Sequence, residues 1–184
     1  MLHPTSKQLF AVCHSDAYPS PGVALDGTIP LVSGVAIPGD MAETPDGALI
    51  ALTLSDAGGY QLALLHVHAD KSFDPPVVVV SSSDTAEMTP HLARYGDNYL
   101  LSWVAVAGAT TFSPYNQYGP TKMALVDVNG NILLGPETVD FATSFYDDFI
   151  THANGDLGWP VLPAMPVGPP ESDGLEIARM RYCQ

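Results

Sequence analysis

The sequence predicts an all-β fold of short antiparallel strands, and three observations carry that prediction. The apolar runs are short and end at glycine, proline, Asp-Gly or Asn-Gly. No long run places apolar residues at the i, i+3, i+4 and i+7 positions of a helix face. One arrangement of runs and turns recurs along the chain, which is how stacked β units read.

The clearest copy lies between Thr89 and Val139. Four strands are read in it: Pro90–Tyr95, Tyr99–Ala105, Lys122–Val128 and Asn131–Gly135. The first two join through Gly96-Asp97-Asn98. The last two join through Asn129-Gly130, a dipeptide that supplies the positive φ angles of a tight hairpin turn.

A shift of 51 positions brings Ala48–Leu54 onto Tyr99–Ala105 and Asp46-Gly47 onto Asp97-Asn98. Leu62–His68 matches Met123–Asn129 after a loop ten residues longer, and Pro76–Val80 takes the place of the fourth strand. A further shift of 40 brings Leu9–Asp16 onto Leu49–Asp56. Val23–Leu31, with Asp26-Gly27 as its turn, matches Val126–Leu134. Toward the C-terminus, Asp148–Ala153, Leu157–Val161 and Leu175–Cys183 read as three more strands around Asn154-Gly155. The chain thus divides into four units, about 7–35, 36–82, 88–140 and 146–184, within one domain.

The second strand of the third unit reads Gly96-Asp-Asn-Tyr-Leu-Leu-Ser-Trp103. It resembles the tandem blade repeats of secreted bacterial β-propellers, whose second strand often reads Gly-Asp-x-Tyr/Phe-Leu-Leu-x-Trp. The other copies match loosely: Leu52 and Val12 stand where Trp103 does, and Trp159 is displaced. The resemblance implies a propeller-like fold and names no substrate. A two-sheet β-sandwich is the alternative that short, regularly spaced strands also allow. In the propeller reading the first unit lacks its innermost strand and the last its outermost. Four blades could close imperfectly, or the chain could be part of a larger propeller, or a neighbouring chain could complete it in a homo- or hetero-oligomer.

Apolar residues make up 46% of the chain and charged residues 14%, which excludes a disordered chain. Six Lys/Arg against 20 Asp/Glu give a formal net charge of −14. Nucleic acid and anionic membranes are repelled by such a surface, and the apolar runs are too short to insert in a bilayer. Proteins, neutral glycans and cations remain as partners. The acidic balance and scarce lysine place the chain in an extracellular or periplasmic setting. No signal peptide is read at the N-terminus, so a secreted chain would have lost its signal or be a piece of a longer product. Cys13 and Cys183 are a disulfide candidate that would close a very long loop, worth about 4–5 kcal/mol; two free thiols are the alternative.

In a propeller, loops joining second to third strands share a face with the loops between units. The long loops 15–22, 81–89, 107–121, 141–147 and 162–174 all belong to that set, so they are expected on one face, where binding residues tend to sit. Tyr115, Asn116, Tyr118, Phe145, Tyr146, Asp147 and Asp148 make that face aromatic and acidic. Such a surface suits stacking on sugar rings and bonding to hydroxyls, or a protein partner. The function expected is therefore a non-catalytic binding module for a protein surface or a glycan.

The alternative is a glycan hydrolase. Asp40, Glu87 and the Asp147/Asp148 pair each read as standing just ahead of a unit's first strand, ringing the channel entrance. Glycosidase chemistry needs two carboxylates about 5–9 Å apart. No nucleophile motif accompanies them, and turn chemistry accounts for them equally well. His66 and His68 alternate on one strand and so share a face, a start toward a zinc or copper site, with Asp127 and Asn129 at matching positions. A solvated polar face is the plainer reading. No cofactor is expected, calcium on the oxygen-rich Asp127–Asn131 turn being the alternative. His14, His91 and His152 stand alone and read as structural. Phosphate-loop, Ser-His-Asp and Cys-x-x-Cys patterns are absent, against nucleotide and redox roles.

Overall fold

The computed structural model describes residues 10–11, 23–24, 36–56, 59–108, 120–139, 142–143, 148–162 and 176–181. Among them there is no helix, and every strand pairing is antiparallel. β1 (Phe10–Ala11) pairs with β2 (Val23–Ala24). The first large sheet is a meander of β3 (Ala36–Thr44), β4 (Gly47–Asp56), β5 (Gly59–His68) and β6 (Val77–Val80). The second repeats it with β7 (Thr85–Tyr95), β8 (Asn98–Ala107), β9 (Thr121–Val126) and β10 (Ile132–Val139). In the third, β13 (Leu157–Leu162) pairs on one side with β14 (Glu176–Met180). Its other side takes the short strands β11 (Ala142–Thr143) and β12 (Ile150–Thr151) end to end. Three four-stranded sheets are one more than a two-sheet sandwich provides.

The second sheet lies between the other two, which explains why its middle strands read as continuous apolar runs: they are buried on both faces. From β8, Tyr99, Leu101 and Trp103 join Leu49, Ala51, Leu62 and Leu64 of the first sheet in one core. The residue between two of them, Leu100, points the other way, to Leu157 and Trp159 of the third sheet. This period of two is what a pleated strand imposes.

The hairpin turns fall where glycine allows them. Gly96 and Gly130 have φ of 65° and 81°. Asp127 adds a clamp to the second turn: its carboxylate accepts from the backbone N–H groups of Asn129 and Asn131, both at 2.9 Å, and from the Asn131 side chain at 2.8 Å. Partial burial pushes this carboxyl up, but the donors from Asn131 and Asn129 together outweigh it and hold it below its ordinary range. The residues 127–131 are thus engaged as a hairpin turn.

Two strands lie in stretches that the sequence reads as loops. The sequence places a loop over 81–89, yet β7 begins at Thr85; β11 lies inside the loop expected over 141–147. This corrects the position of Glu87. It stands inside β7, fully buried, not ahead of a strand at an entrance. Its carboxyl accepts from Thr85 Oγ1 at 2.6 Å and from the Trp103 indole N–H. The polar stretch Ser81–Thr89 conceals a strand because the partner satisfying Glu87 lies in the next strand, out of local view. Asp40, likewise, lies within β3 and not before it.

Candidate functional site

Each of the three first strands breaks at one point. In β3 the pairing slips between Pro38 and Met41, so Gly39 and Asp40 together oppose Ala51. In β7 it slips between Met88 and His91, so Thr89 and Pro90 oppose Trp103. In the third sheet the pairing jumps from Thr143↔Val161 in β11 to Ile150↔Gly158 in β12. Bulges like these re-aim side chains. Thr89 carries part of the strain, with a φ of 49° that a β-branched residue rarely adopts.

The breaks bring Asp40, His91 and Asp148 together. One ligand atom from each lies within 4.8 Å of the other two. They line a pocket of about 110 Å³, completed by Ile37, Pro38 and Thr89 among others. Gly39 makes the closeness of β3 and β7 feasible, because a Cβ there would stand 2.1 Å from the Pro90 carbonyl oxygen. Asp40 ties the two strands: Oδ1 accepts from Met41 N–H at 2.9 Å and Oδ2 from Leu92 N–H, across in β7, at 3.5 Å. Behind the pocket, Phe149 packs edge-on against both the His91 ring and Trp159.

Burial raises the Asp40 carboxyl from its ordinary 3.8 to about 6; the nearby Asp148 charge adds to the rise, while the Met41 and Leu92 N–H groups oppose it. Asp148 is exposed. Near neutral pH the pocket therefore offers a carboxyl poised to give or take a proton, a second carboxyl in reach of it, and an imidazole.

The sign of the linkage follows. The folded chain holds the Asp40 proton more tightly than the unfolded chain, so stability is full below about pH 4 and is lost as pH rises toward 6. Asp40→Asn is expected to stabilise the fold by about 2 kcal/mol at pH 7.5, after allowance for solvent screening, and to change nothing near pH 3. Urea denaturation at the two pH values checks this; equal effects at both would contradict it.

Of the carboxylates named from sequence, Asp40 and Asp148 are thus brought together and Glu87 is placed elsewhere. Asp147, Tyr115, Asn116, Tyr118, Phe145, Tyr146, Cys13 and Cys183 lie outside the described residues. His91, which reads as structural when taken alone, stands with the carboxylates. The signal was present: the 51-residue shift carries Asp40 onto position 91, so the two are repeat-equivalent.

A second cluster lies at the C-terminal end of β5. His66 and His68 share a face as their alternation requires, with ring centroids 4.4 Å apart. Asp46, in the turn between β3 and β4, and Asp74, after β5, stand on either side of them. Asn129 joins His66 and Asp74 along a groove of about 450 Å³. Asp127, the other residue named with this pair, is held in its own turn.

Comparison with protein-family models, with curated proteins and with solved structures finds no match. Among the described residues no helix is long and apolar enough to cross a membrane.

Proposed function

We propose that the three sheets are blades of a propeller-like domain acting outside the cell as a binding module, and that it takes a neutral glycan at the Asp40–His91–Asp148 pocket. The observation that carries this reading is the convergence of three polar side chains at three strand breaks. Sugar hydroxyls need acceptors and donors at fixed positions, and rigid strands supply them here. The strongly acidic chain disfavours anionic ligands. Phe145 and Tyr146, shortly ahead of Asp148 in sequence, would add aromatic surface for stacking, and Asp147 a further acceptor.

An array of neutral oligosaccharides, followed by calorimetry on the strongest binder, tests the reading. Asp40→Asn with Asp148→Asn should weaken binding at least about tenfold, since each removes a charge-assisted hydrogen bond. Unchanged affinity would reject the pocket.

One observation favours a second reading, a glycan hydrolase. A carboxyl raised to about 6, with a second carboxylate near enough to add to the rise, is suited to act as a general acid. Release of new reducing ends from the same oligosaccharides, abolished by Asp148→Asn, would establish it. Binding without release leaves the module reading.

A further inference from the structure

The Asp46–His66–His68–Asp74 cluster is separate from the pocket just described, and its geometry is more specific than a solvated polar face requires. Each imidazole turns one nitrogen toward Asp46 and the other toward Asp74. His66 Nε2 and His68 Nδ1 lie 3.1 Å from Asp46 Oδ1 and Oδ2 respectively. On the far side, Asp74 Oδ2 lies 3.2 Å from His68 Nε2 and 3.7 Å from His66 Nδ1.

We propose that this cluster is a divalent metal site of the zinc class. In it His66 Nε2, His68 Nδ1 and the Asp46 carboxylate are the ligands, and Asp74 is the outer carboxylate, bonded to the His68 ring. Two features point there. First, ligands about 2.0–2.1 Å from a tetrahedral ion stand roughly 3.3 Å from one another; both Asp46–imidazole distances are 3.1 Å, and one ligand atom from each of the three residues lies within 4.8 Å of the others. Second, a metal-bound histidine typically gives its remaining N–H to a carboxylate, which fixes tautomer and ring orientation. Asp74 Oδ2 is placed to do this for His68, at 3.2 Å, and stands 3.7 Å from His66 Nδ1.

The protein holds the donors in place before any ion arrives. The period-two spacing of β5 sets the rings side by side. The Asp46 backbone carbonyl accepts from Ala69 N–H at 2.6 Å, which docks the turn onto the end of β5. The neighbouring Gly47 permits that approach, since a Cβ there would stand 2.0 Å from the Val67 carbonyl oxygen. Asp74 is fixed through its own backbone, its N–H donating to the His66 carbonyl at 3.0 Å. Thr44 Oγ1 donates to Asp46 Oδ1 at 3.1 Å and steadies the carboxylate from below. Three protein ligands leave a fourth position for water, the arrangement of an open zinc site. His66 and Asp74 also line the groove of about 450 Å³, so the ion would sit at the rim of a cleft able to admit a ligand.

Without metal the same contacts are hydrogen bonds between the two imidazoles and the two carboxylates. Hydrogen bonds that Asp46 and then Asp74 accept from its ring raise the His68 imidazole, and the bond accepted from His68 lowers Asp46. The experiment separates these two states. Zinc is titrated calorimetrically into the metal-free chain at pH 7.5. One saturable equivalent with micromolar or tighter affinity is expected. His66→Gln and His68→Gln should each weaken it at least about a hundredfold. Asp74→Asn should weaken it about 10–100-fold while keeping the stoichiometry of one, as outer carboxylates do. The double variant Asp40→Asn/Asp148→Asn should leave it unchanged. If a histidine variant loses its fold by circular dichroism, nitrogen-edited spectra of the unaltered chain give the answer: of six histidines, only His66 and His68 should shift on adding zinc. No saturable binding, binding that survives both histidine substitutions, or shifts confined to other histidines would each overturn the proposal.

Discussion

Trp103→Ala should cost about 4 kcal/mol, a large part of the stability of a domain of this size. The indole is fully buried at the centre of the core between the first and second sheets. Its removal leaves a cavity that strands on both sides are too constrained to close. It also withdraws the N–H that satisfies the buried Glu87 carboxyl. Trp103→Phe separates the two losses, since it keeps most of the volume and removes only the donor. It should cost about 1–3 kcal/mol, the penalty for leaving a buried polar group without its partner. Urea midpoints should thus fall in the order unaltered, Phe, Ala. A phenylalanine variant as stable as the parent would mean that Glu87 finds another donor, and the assigned role of the indole would be wrong.

Gly39→Ala is the second large effect. The added methyl would meet the Pro90 carbonyl oxygen at 2.1 Å and its Cγ at 2.8 Å, and backbone cannot rotate aside as a side chain does. Strand β3 must back away from β7, at a cost of about 3 kcal/mol. The same displacement weakens the Asp40–Leu92 contact and opens the pocket. The Asp40 titration should then fall from about 6 toward its ordinary value as water reaches the carboxyl. Thermal denaturation reads the first consequence and carbon NMR of the aspartate side chains the second. A variant with full stability and an unmoved titration would show that the close approach of Gly39 to Pro90 does not hold the site together.

The parts of this fold that sequence discloses are those whose causes are local. Apolar runs mark β4, β5, β8 and β9, and Gly96 and Gly130 mark hairpins because their φ angles demand it. The first strand of each unit is harder to read, because its polar residues are satisfied by partners far along the chain. Thr85–Thr89 resembles a loop until Trp103 is placed beside Glu87. Pro38-Gly39 and Thr89-Pro90 fall at the bulges, because proline and glycine inside a strand interrupt its ladder without ending it. That is why Asp40 could be named from sequence while the reason for its position could not. His91 needed the repeat to be applied to a polar residue, where the 51-residue shift was read from apolar ones. The His66–His68 pairing followed from strand alternation alone; the carboxylates flanking it come from a turn and a loop that only the folded chain brings near.

The outer strands have a consequence for how copies of this chain meet. β10 is bordered by β9 on one side and by no strand among the described residues on the other, and Leu133 and Leu134 are half or more exposed on it. Such a border normally invites further chains to add, rung upon rung, into a fibril. Here the ladder is uneven: the register slips on both sides of Leu134, and Pro136 has no N–H to offer a newcomer. The outer strand of the first sheet, Val77–Val80, is all valine and so is a strong template, but Pro75 and Pro76 stand directly before it. Each of these two borders therefore presents only a few consecutive rungs, which disfavours growth of an amyloid stack upon them.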